Sequence, residues 1–228
     1  MQRRPFFPVP VCLFLVAALT VASSRAQDAP SPPAMPAKID LQDGDTLVFL
    51  GDSITHQRLY TQYVEDFFYT RFPERRIHFH NAGIGAAQAW DALQRVSRDV
   101  LDYNPRYVTI LLGMNDGRYT PFDPDIFATY QKDMTEIVAK LREGGATPVL
   151  MSPTMFDARA AQLRQNPRRP RSPEMLSQYN SVLAYYGRWL QDRAIETGTS
   201  YVDMFSPLND LTVEARETDP AFTLIKDA

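Results

Sequence analysis

Short apolar segments rich in β-branched residues alternate with longer amphipathic segments along most of the chain. The apolar segments predict five strands, at residues 46–50, 77–81, 107–112, 147–151 and 200–203. The amphipathic segments predict four helices, at residues 57–72, 87–103, 124–143 and 173–197. Near-continuous apolar strands indicate burial on both faces, and their strict alternation with helices favours a parallel sheet. The pattern therefore predicts an α/β domain whose right-handed crossovers place helices on both sides of the sheet.

Small and polar residues follow the first predicted strand, at the carboxyl end where parallel sheets bind ligands. Gly51 allows a sharp turn, and Ser53 would then expose its hydroxyl beside free backbone N–H groups, as a nucleophile requires. An ordinary helix N-cap at Asp52 and Ser53 would give the same pattern. The nucleophile elbow of α/β-hydrolases is not met, because Thr55 stands where its last glycine would be.

Two more segments follow strands in the same way. The small residues at 81–86 would let a substrate approach the backbone and leave N–H groups free for a developing oxyanion. Asn115, in the segment 113–116, would bring a second neutral donor of the same kind. Each segment alone could equally be a tight turn.

Together the three segments resemble the sequence blocks of the SGNH (GDSL) hydrolase family. They read GDSIT from Gly51, NAGIG from Asn81 and GMND from Gly113, and the resemblance extends from about residue 45 to residue 225. It implies a flavodoxin-like three-layer α/β/α sandwich with a central five-stranded parallel sheet. It also implies an ester hydrolase that needs no metal or other cofactor and forms an acyl-serine intermediate.

The resemblance assigns roles to particular residues. Ser53 is implied as the nucleophile, and the N–H groups of Ser53 and Ala86, with the Asn115 amide, as the oxyanion hole. The family usually has glycine where this chain has Ala86, which keeps the N–H but adds a methyl group where the acyl substrate would pass. If the register slips by one residue, Gly85 is the donor instead.

The fourth block of the family, D-x-x-H near the C-terminus, is incomplete in this sequence. Asp227 takes the place of the aspartate that orients the catalytic imidazole, and the sequence stops at Ala228, two residues before the histidine would appear. We therefore expect the domain at residues 39–228 to lack its C-terminal histidine block and its last helix. Either the sequence is a fragment of a longer protein, or the domain has lost catalysis.

The sequence contains three histidines. His78 and His80 share one face of a predicted buried strand and are interpreted as structural, since no third metal ligand lies near them in sequence. His56 follows Ser53 closely, but a neighbour on the same turn points along the loop rather than toward the serine hydroxyl. The residues expected to line the pocket are Asp52, Gly85, His56 and Trp90.

The first 26 residues have the features of a secretory signal peptide. Arg3 and Arg4 precede an apolar run at about 11–22, and small residues flank a cleavage point after Ala26. A membrane anchor is the alternative, but the run is shorter than the roughly 20 residues that a transmembrane helix needs. We therefore expect export to the periplasm or the extracellular space, with no membrane association after cleavage.

Composition narrows the classes of protein and partner that the sequence allows. The prolines of residues 27–38 predict an extended spacer, and the single cysteine, Cys12, would leave with the signal peptide. The chain has 24 basic and 27 acidic residues and no basic block long enough to follow a phosphate backbone, which argues against a nucleic-acid partner. With the signal peptide, the family resemblance implies a secreted serine esterase, and it suggests the removal of short acyl groups, such as acetyl, from carbohydrate or similar small esters. The alternative is a catalytically impaired domain that binds such ligands without turnover, and the sequence does not indicate the oligomeric state.

Overall fold

The computed structural model describes residues 39–163 and 170–224. The predicted signal peptide at residues 1–26, the predicted spacer at 27–38 and Asp227 lie outside the described residues. Within these two ranges, no helix has the length and apolar character needed to cross a membrane.

Five parallel strands form one sheet in the order β2-β1-β3-β4-β5. The strands are β1 Thr46–Gly51, β2 His78–Gly83, β3 Tyr107–Leu111, β4 Thr147–Met151 and β5 Ser200–Val202. The prediction of a five-stranded parallel sheet is therefore confirmed. Because the chain moves from β1 to β2 and then back across to β3, the ends of β1 and β3 form the switch point where such sheets bind ligands.

The described residues form seven α-helices. They are α1 Ser53–His56, α2 Leu59–Arg71, α3 Ala89–Asp99, α4 Pro124–Glu143, α5 Ala158–Leu163, α6 Pro173–Thr197 and α7 Phe205–Thr218. The predicted bounds of α4 and α6 are confirmed. Both helices begin at a proline behind a capping residue, since Asp123 accepts from the N–H of Ile126 and Ser172 accepts from the N–H of Met175.

The other predicted helices differ from the structure. The predicted helix at 57–72 corresponds to α2, which begins at Leu59, because Arg58 has a left-handed backbone with φ of 65° and separates α2 from the short helix α1 that the sequence pattern does not predict. The predicted helix at 87–103 begins later, and α3 ends at Asp99 before a 3-10 turn at Leu101–Tyr103. The sequence pattern does not predict α5 or α7.

Successive side chains of the central strands enter two apolar layers, as the twofold alternation of a strand requires. Val48 and Leu50 belong to the larger layer, which the sheet shares with the apolar faces of α3, α4 and α6. Leu47 and Phe49 belong to the smaller layer on the other face, where α2 contributes its partly buried apolar residues. The sheet is thus covered on both faces, and its carboxyl edge is left for the loops that carry the candidate site.

Candidate active site

Ser53 is the first residue of α1, and only Asp52 separates it from the end of β1 at Gly51. The carboxylate of Asp52 accepts from the Ile54 N–H at 2.9 Å and caps this short helix. Neither the hydroxyl nor the N–H of Ser53 has a hydrogen-bond partner within residues 39–163 and 170–224, and the residue is partly exposed. Both groups are therefore free to meet a substrate.

Two glycines allow the serine loop to pack against its neighbours. A Cβ on Gly51 would lie 2.1 Å from Thr55 Oγ1, and a Cβ on Gly83 would lie 2.3 Å from the backbone nitrogen of His56. The Asn81 amide donates to the Thr55 carbonyl at 2.7 Å, which fastens the end of β2 to the same loop. The glycine block thus supports the serine loop mechanically, independently of any contact with substrate.

The Asn115 side chain lies against both other blocks. Its Nδ2 donates to the Ala87 carbonyl at 3.1 Å and lies 3.4 Å from Asp52 Oδ2. Its Oδ1 accepts from the Tyr119 hydroxyl at 3.3 Å. The structure therefore brings the serine, glycine and asparagine segments to one point on the carboxyl edge of the sheet.

The turn after β2 exposes Gly85 and Ala86. In the described part of the chain, the N–H of neither residue finds an acceptor. Ala86 has a φ of 61°, a left-handed conformation that glycine adopts freely and that costs an L-residue roughly 1 to 2 kcal/mol. The methyl group at this position therefore adds strain but leaves the backbone donor available.

Two buried carboxyls lie beside the Asn115 amide. Burial raises the pKa of Asp52 to about 6, although the N–H of Ile54 favours its charged form. Burial likewise raises the pKa of Asp116 to about 7, against hydrogen bonds from the N–H groups of Ala89 and Gly113. The negative charge of Asp52 raises the Asp116 pKa further. A proton can therefore reside on this pair near neutral pH.

Other contacts engage the rings of His56 and His80. The His56 ring makes a 3.1 Å hydrogen bond through Nδ1 to the Gly83 carbonyl. His80 stacks on Tyr103 at 3.6 Å, and burial lowers its pKa. His78 is exposed at the start of edge strand β2, so the expectation of a buried strand there is wrong. None of the three is hydrogen-bonded to Ser53, and Asp227 lies outside the described residues.

An aromatic cluster holds the asparagine loop, and sequence reasoning did not identify it. Tyr119 stacks on Tyr179 at 4.9 Å, and the Tyr179 hydroxyl donates to the Met114 carbonyl at 2.5 Å. Arg118 and Tyr119 both have positive φ, of 53° and 52°. Neither residue type marks a left-handed turn in a sequence, which is why the position of Tyr119 could not be inferred.

Comparison with known proteins gives the family. The family model described as GDSL-like lipase/acylhydrolase matches residues 49–222, which include all three blocks. The chain belongs to this family. Its members take their name from ester hydrolysis, so the match agrees with the resemblance seen in the sequence.

Among solved structures, a gut microbial diltiazem-metabolizing enzyme is 23% identical and has a TM-score of 0.70, covering 82% of this chain and 42% of its own. The acetylxylan esterase Axe2 of Geobacillus stearothermophilus is 25% identical with a TM-score of 0.60, covering 76% of this chain and 82% of its own. These similarities confirm the SGNH hydrolase fold.

One relative of known sequence is an uncharacterized lipoprotein, YqeF, of Bacillus subtilis. It is 34% identical over 74 residues, which are 32% of this chain and 30% of the lipoprotein. The chain thus matches less than half the length of this relative and of the diltiazem-metabolizing enzyme.

Proposed function

We propose that this chain is the esterase domain of an exported SGNH hydrolase, which removes short acyl groups such as acetyl from carbohydrate or similar small esters. One observation carries the proposal. The hydroxyl and the N–H of Ser53 are free, and the preceding residue, Asp52, contacts the Asn115 amide. The acetylxylan esterase named above supports the choice of acyl group and alcohol. The similarity to a lipoprotein is compatible with export.

In the proposed reaction, Ser53 Oγ attacks the ester carbonyl carbon and its proton passes to a general base. The resulting oxyanion accepts hydrogen bonds from the N–H of Ser53, the N–H of Ala86 or Gly85, and the Asn115 amide. The C–O bond to the alcohol then breaks, and the alcohol leaves with the proton. Water cleaves the acyl-serine ester by the reverse sequence and releases the acid.

The mechanism also needs a general base that accepts the Ser53 proton. We propose that Asp227 orients the imidazole that serves as base, as the family resemblance implies. The second candidate function is a domain that binds carbohydrate or ester ligands without turnover. It is supported by the position of His56, whose Nδ1 is engaged by the Gly83 carbonyl rather than by Ser53.

The test is hydrolysis of p-nitrophenyl acetate by the 228-residue chain, with and without added imidazole, and with Ser53→Ala as the matched control that subtracts the background. Mass spectrometry of the quenched protein measures acetyl on the peptide that contains Ser53. Turnover that Ser53→Ala abolishes supports the esterase, and loss in His56→Ala as well would make His56 the base. Turnover only with imidazole supports a domain that lacks its base. If neither condition acylates Ser53, the esterase proposal is wrong.

The Asn115 amide has a separate prediction. In a form that turns over, Asn115→Ala should lower kcat about 10²- to 10³-fold with little change in KM, because the lost hydrogen bond forms mainly in the transition state. A rise in KM at constant kcat would instead assign Asn115 to substrate binding.

A further inference from the structure

A cavity of about 290 Å³ with a mixed polar and apolar lining opens beside the asparagine loop, between the first turns of α3 and the first half of α4. Its volume is roughly ten times the ~30 Å³ that one water occupies in the liquid, which is the space of one small ring compound. The residues that line it and matter here are Gln88, Trp90, Asp116, Arg118, Thr129 and Asp133. Ser53 does not line it, so this cavity is a separate feature of the sheet edge.

Two aspartates in the cavity are buried without full hydrogen bonding. Asp116 is 7% exposed, and its Oδ2 is buried with no partner in the described part of the chain, while Oδ1 accepts from the Ala89 N–H at 2.7 Å. Asp133 is 4% exposed, and no described residue donates to its side chain. Buried acceptors are normally satisfied, so Asp116 Oδ2 has unused acceptor capacity beside the cavity, and the Asp133 carboxylate adds a second acceptor to the cavity wall.

The remaining lining limits the ligand. Trp90 is 56% exposed, so its indole is available as a flat apolar platform, and Arg118 adds donors. Two carboxyls repel an anion, while the Arg118 guanidinium opposes a bare cation. Among the described residues, no group of three His, Cys, Asp or Glu side chains converges as metal ligands would. Acceptors, donors and an aromatic face together suit a neutral polyhydroxylated ring.

The cavity is coupled to the proposed oxyanion hole through adjacent residues. Gln88 and Asp116 directly follow Ala87 and Asn115 in the chain. The Asn115 amide donates to the Ala87 carbonyl at 3.1 Å, and the Gln88 amide donates to the Asn115 carbonyl at 2.9 Å. Consecutive Cα atoms are about 3.8 Å apart. A ligand that contacts Gln88 or Asp116 therefore touches the chain neighbours of Ala87 and Asn115, and the Asn115 amide contacts Asp52 in the serine loop.

We infer that this cavity is a subsite for one pyranose ring in the alcohol part of the ester, with Trp90 as the platform and Asp116 and Asp133 as hydroxyl acceptors. The inference rests on the proposed function for its link to Ser53, but the binding itself requires no turnover.

Tryptophan fluorescence can measure this binding, because Trp90 and Trp189 are the two tryptophans of the chain. Trp189 packs against Phe127 and Tyr130 at ring distances of 5.9 and 5.7 Å, so Trp189→Phe leaves Trp90 as the reporter. The probes are methyl β-D-xyloside and xylobiose, neither of which carries an ester. We expect a saturable change in Trp189→Phe, and a dissociation constant at least about tenfold higher in Asp133→Asn.

Calorimetry measures the binding of the same sugars to variants that lack the Trp90 reporter. Trp90→Ala should lose binding, whereas Tyr63→Ala, which removes an aromatic that is 79% exposed on α2, should bind as the wild type does. Circular dichroism and thermal unfolding verify that each variant is folded. Saturation by MgCl₂ or inorganic phosphate instead of sugar, or equal effects of Trp90→Ala and Tyr63→Ala, would overturn the subsite.

The subsite and the proposed esterase can fail independently. If Ser53→Ala binds the sugars and Trp90→Ala does not, the subsite stands even where the chain shows no turnover. If the chain hydrolyses p-nitrophenyl acetate but no sugar changes the Trp90 emission, the subsite is wrong and the esterase stands. In an active form, Trp90→Ala should raise KM for an acetylated xyloside about tenfold, whereas the control Tyr63→Ala should leave that KM unchanged.

Discussion

The Asp116 carboxyl should make the protein less stable as pH rises through neutrality. In an unfolded chain this group ionises near its ordinary pKa of 3.8, whereas burial raises its pKa to about 7 in the native state. Between these values the native state binds more protons than the unfolded state does. The free energy of unfolding therefore falls as pH increases, and the contribution is fully present below about pH 4 and lost above about pH 7.

The magnitude follows from the difference between the two pKa values. Each pKa unit corresponds to 1.36 kcal/mol, so a difference of about three units gives an upper bound of about 4 kcal/mol. Asp116→Asn preserves the acceptor oxygen that receives the Ala89 N–H and removes the ionisation. The advantage of the variant over the wild type should therefore grow between pH 4 and 7 and level off above pH 8. The pKa of Asp52 is raised to about 6, so Asp52 should cause a smaller loss of stability with rising pH in the wild type and in Asp116→Asn alike.

Urea denaturation at intervals from pH 4.5 to pH 8.5 measures this difference directly. Any cost of the new amide NH₂ is the same at every pH. The test is therefore how the difference in free energy of unfolding between variant and wild type changes with pH, not its sign at one pH. Asp102→Asn is the matched control, because Asp102 is exposed and its variant should follow the wild type throughout. A difference between Asp116→Asn and wild type that does not change from pH 5 to pH 8 would refute the reasoning.

Three other predictions come from named contacts. Tyr119→Phe keeps the ring stacked on Tyr179 but removes the donor to Asn115 Oδ1, so it should lower kcat several-fold at constant KM in p-nitrophenyl acetate hydrolysis; an unchanged kcat would contradict a positioning role. Ala86→Gly should raise the free energy of unfolding by about 1 kcal/mol by relieving the positive φ, and lower stability in urea would show that the turn is unstrained. Arg216→Ala should destabilise the fold by about 3 kcal/mol at pH 7, since Arg216 Nη2 lies 2.8 Å from both oxygens of the buried Asp157 carboxylate; a loss below about 1 kcal/mol would mean that water replaces the guanidinium.

The sheet was predictable because its strands are buried on both faces. A strand such as β3, with every residue buried, favours a near-continuous apolar run, and the sequence contains one that only Thr109 interrupts. Helix α7 was missed for the opposite reason: Thr212 is its only buried residue, so it has no apolar periodicity to recognise. The break at Arg58 was missed because a left-handed arginine has no sequence mark.

The candidate site also combines features that the sequence predicts with features that it does not. Ser53 and Asn115 lie in the loops that follow β1 and β3, so the topology alone brings their segments together. The contribution of Asp116 could not be predicted, because its burial depends on how the asparagine loop folds back onto the first turn of α3. Trp90 was expected near the pocket, and the structure places it on a cavity that Ser53 does not line. Sequence reasoning thus predicted which segments meet at the edge of the sheet, but not the burial of Asp116 or the cavity beside it.

The glycine block shows why its departure from the family pattern does not decide the function. Gly83 is fixed by packing, because a Cβ there would meet the backbone of the serine loop at 2.3 Å. At Gly85 a Cβ would meet nothing within 4 Å, and Ala86 already carries one at the cost of a left-handed backbone. The first glycine of the block therefore shapes the site, whereas the later positions only need to keep an N–H exposed. In the proposed mechanism an alanine at position 86 meets that need, so turnover would depend on the general base rather than on the proposed oxyanion hole.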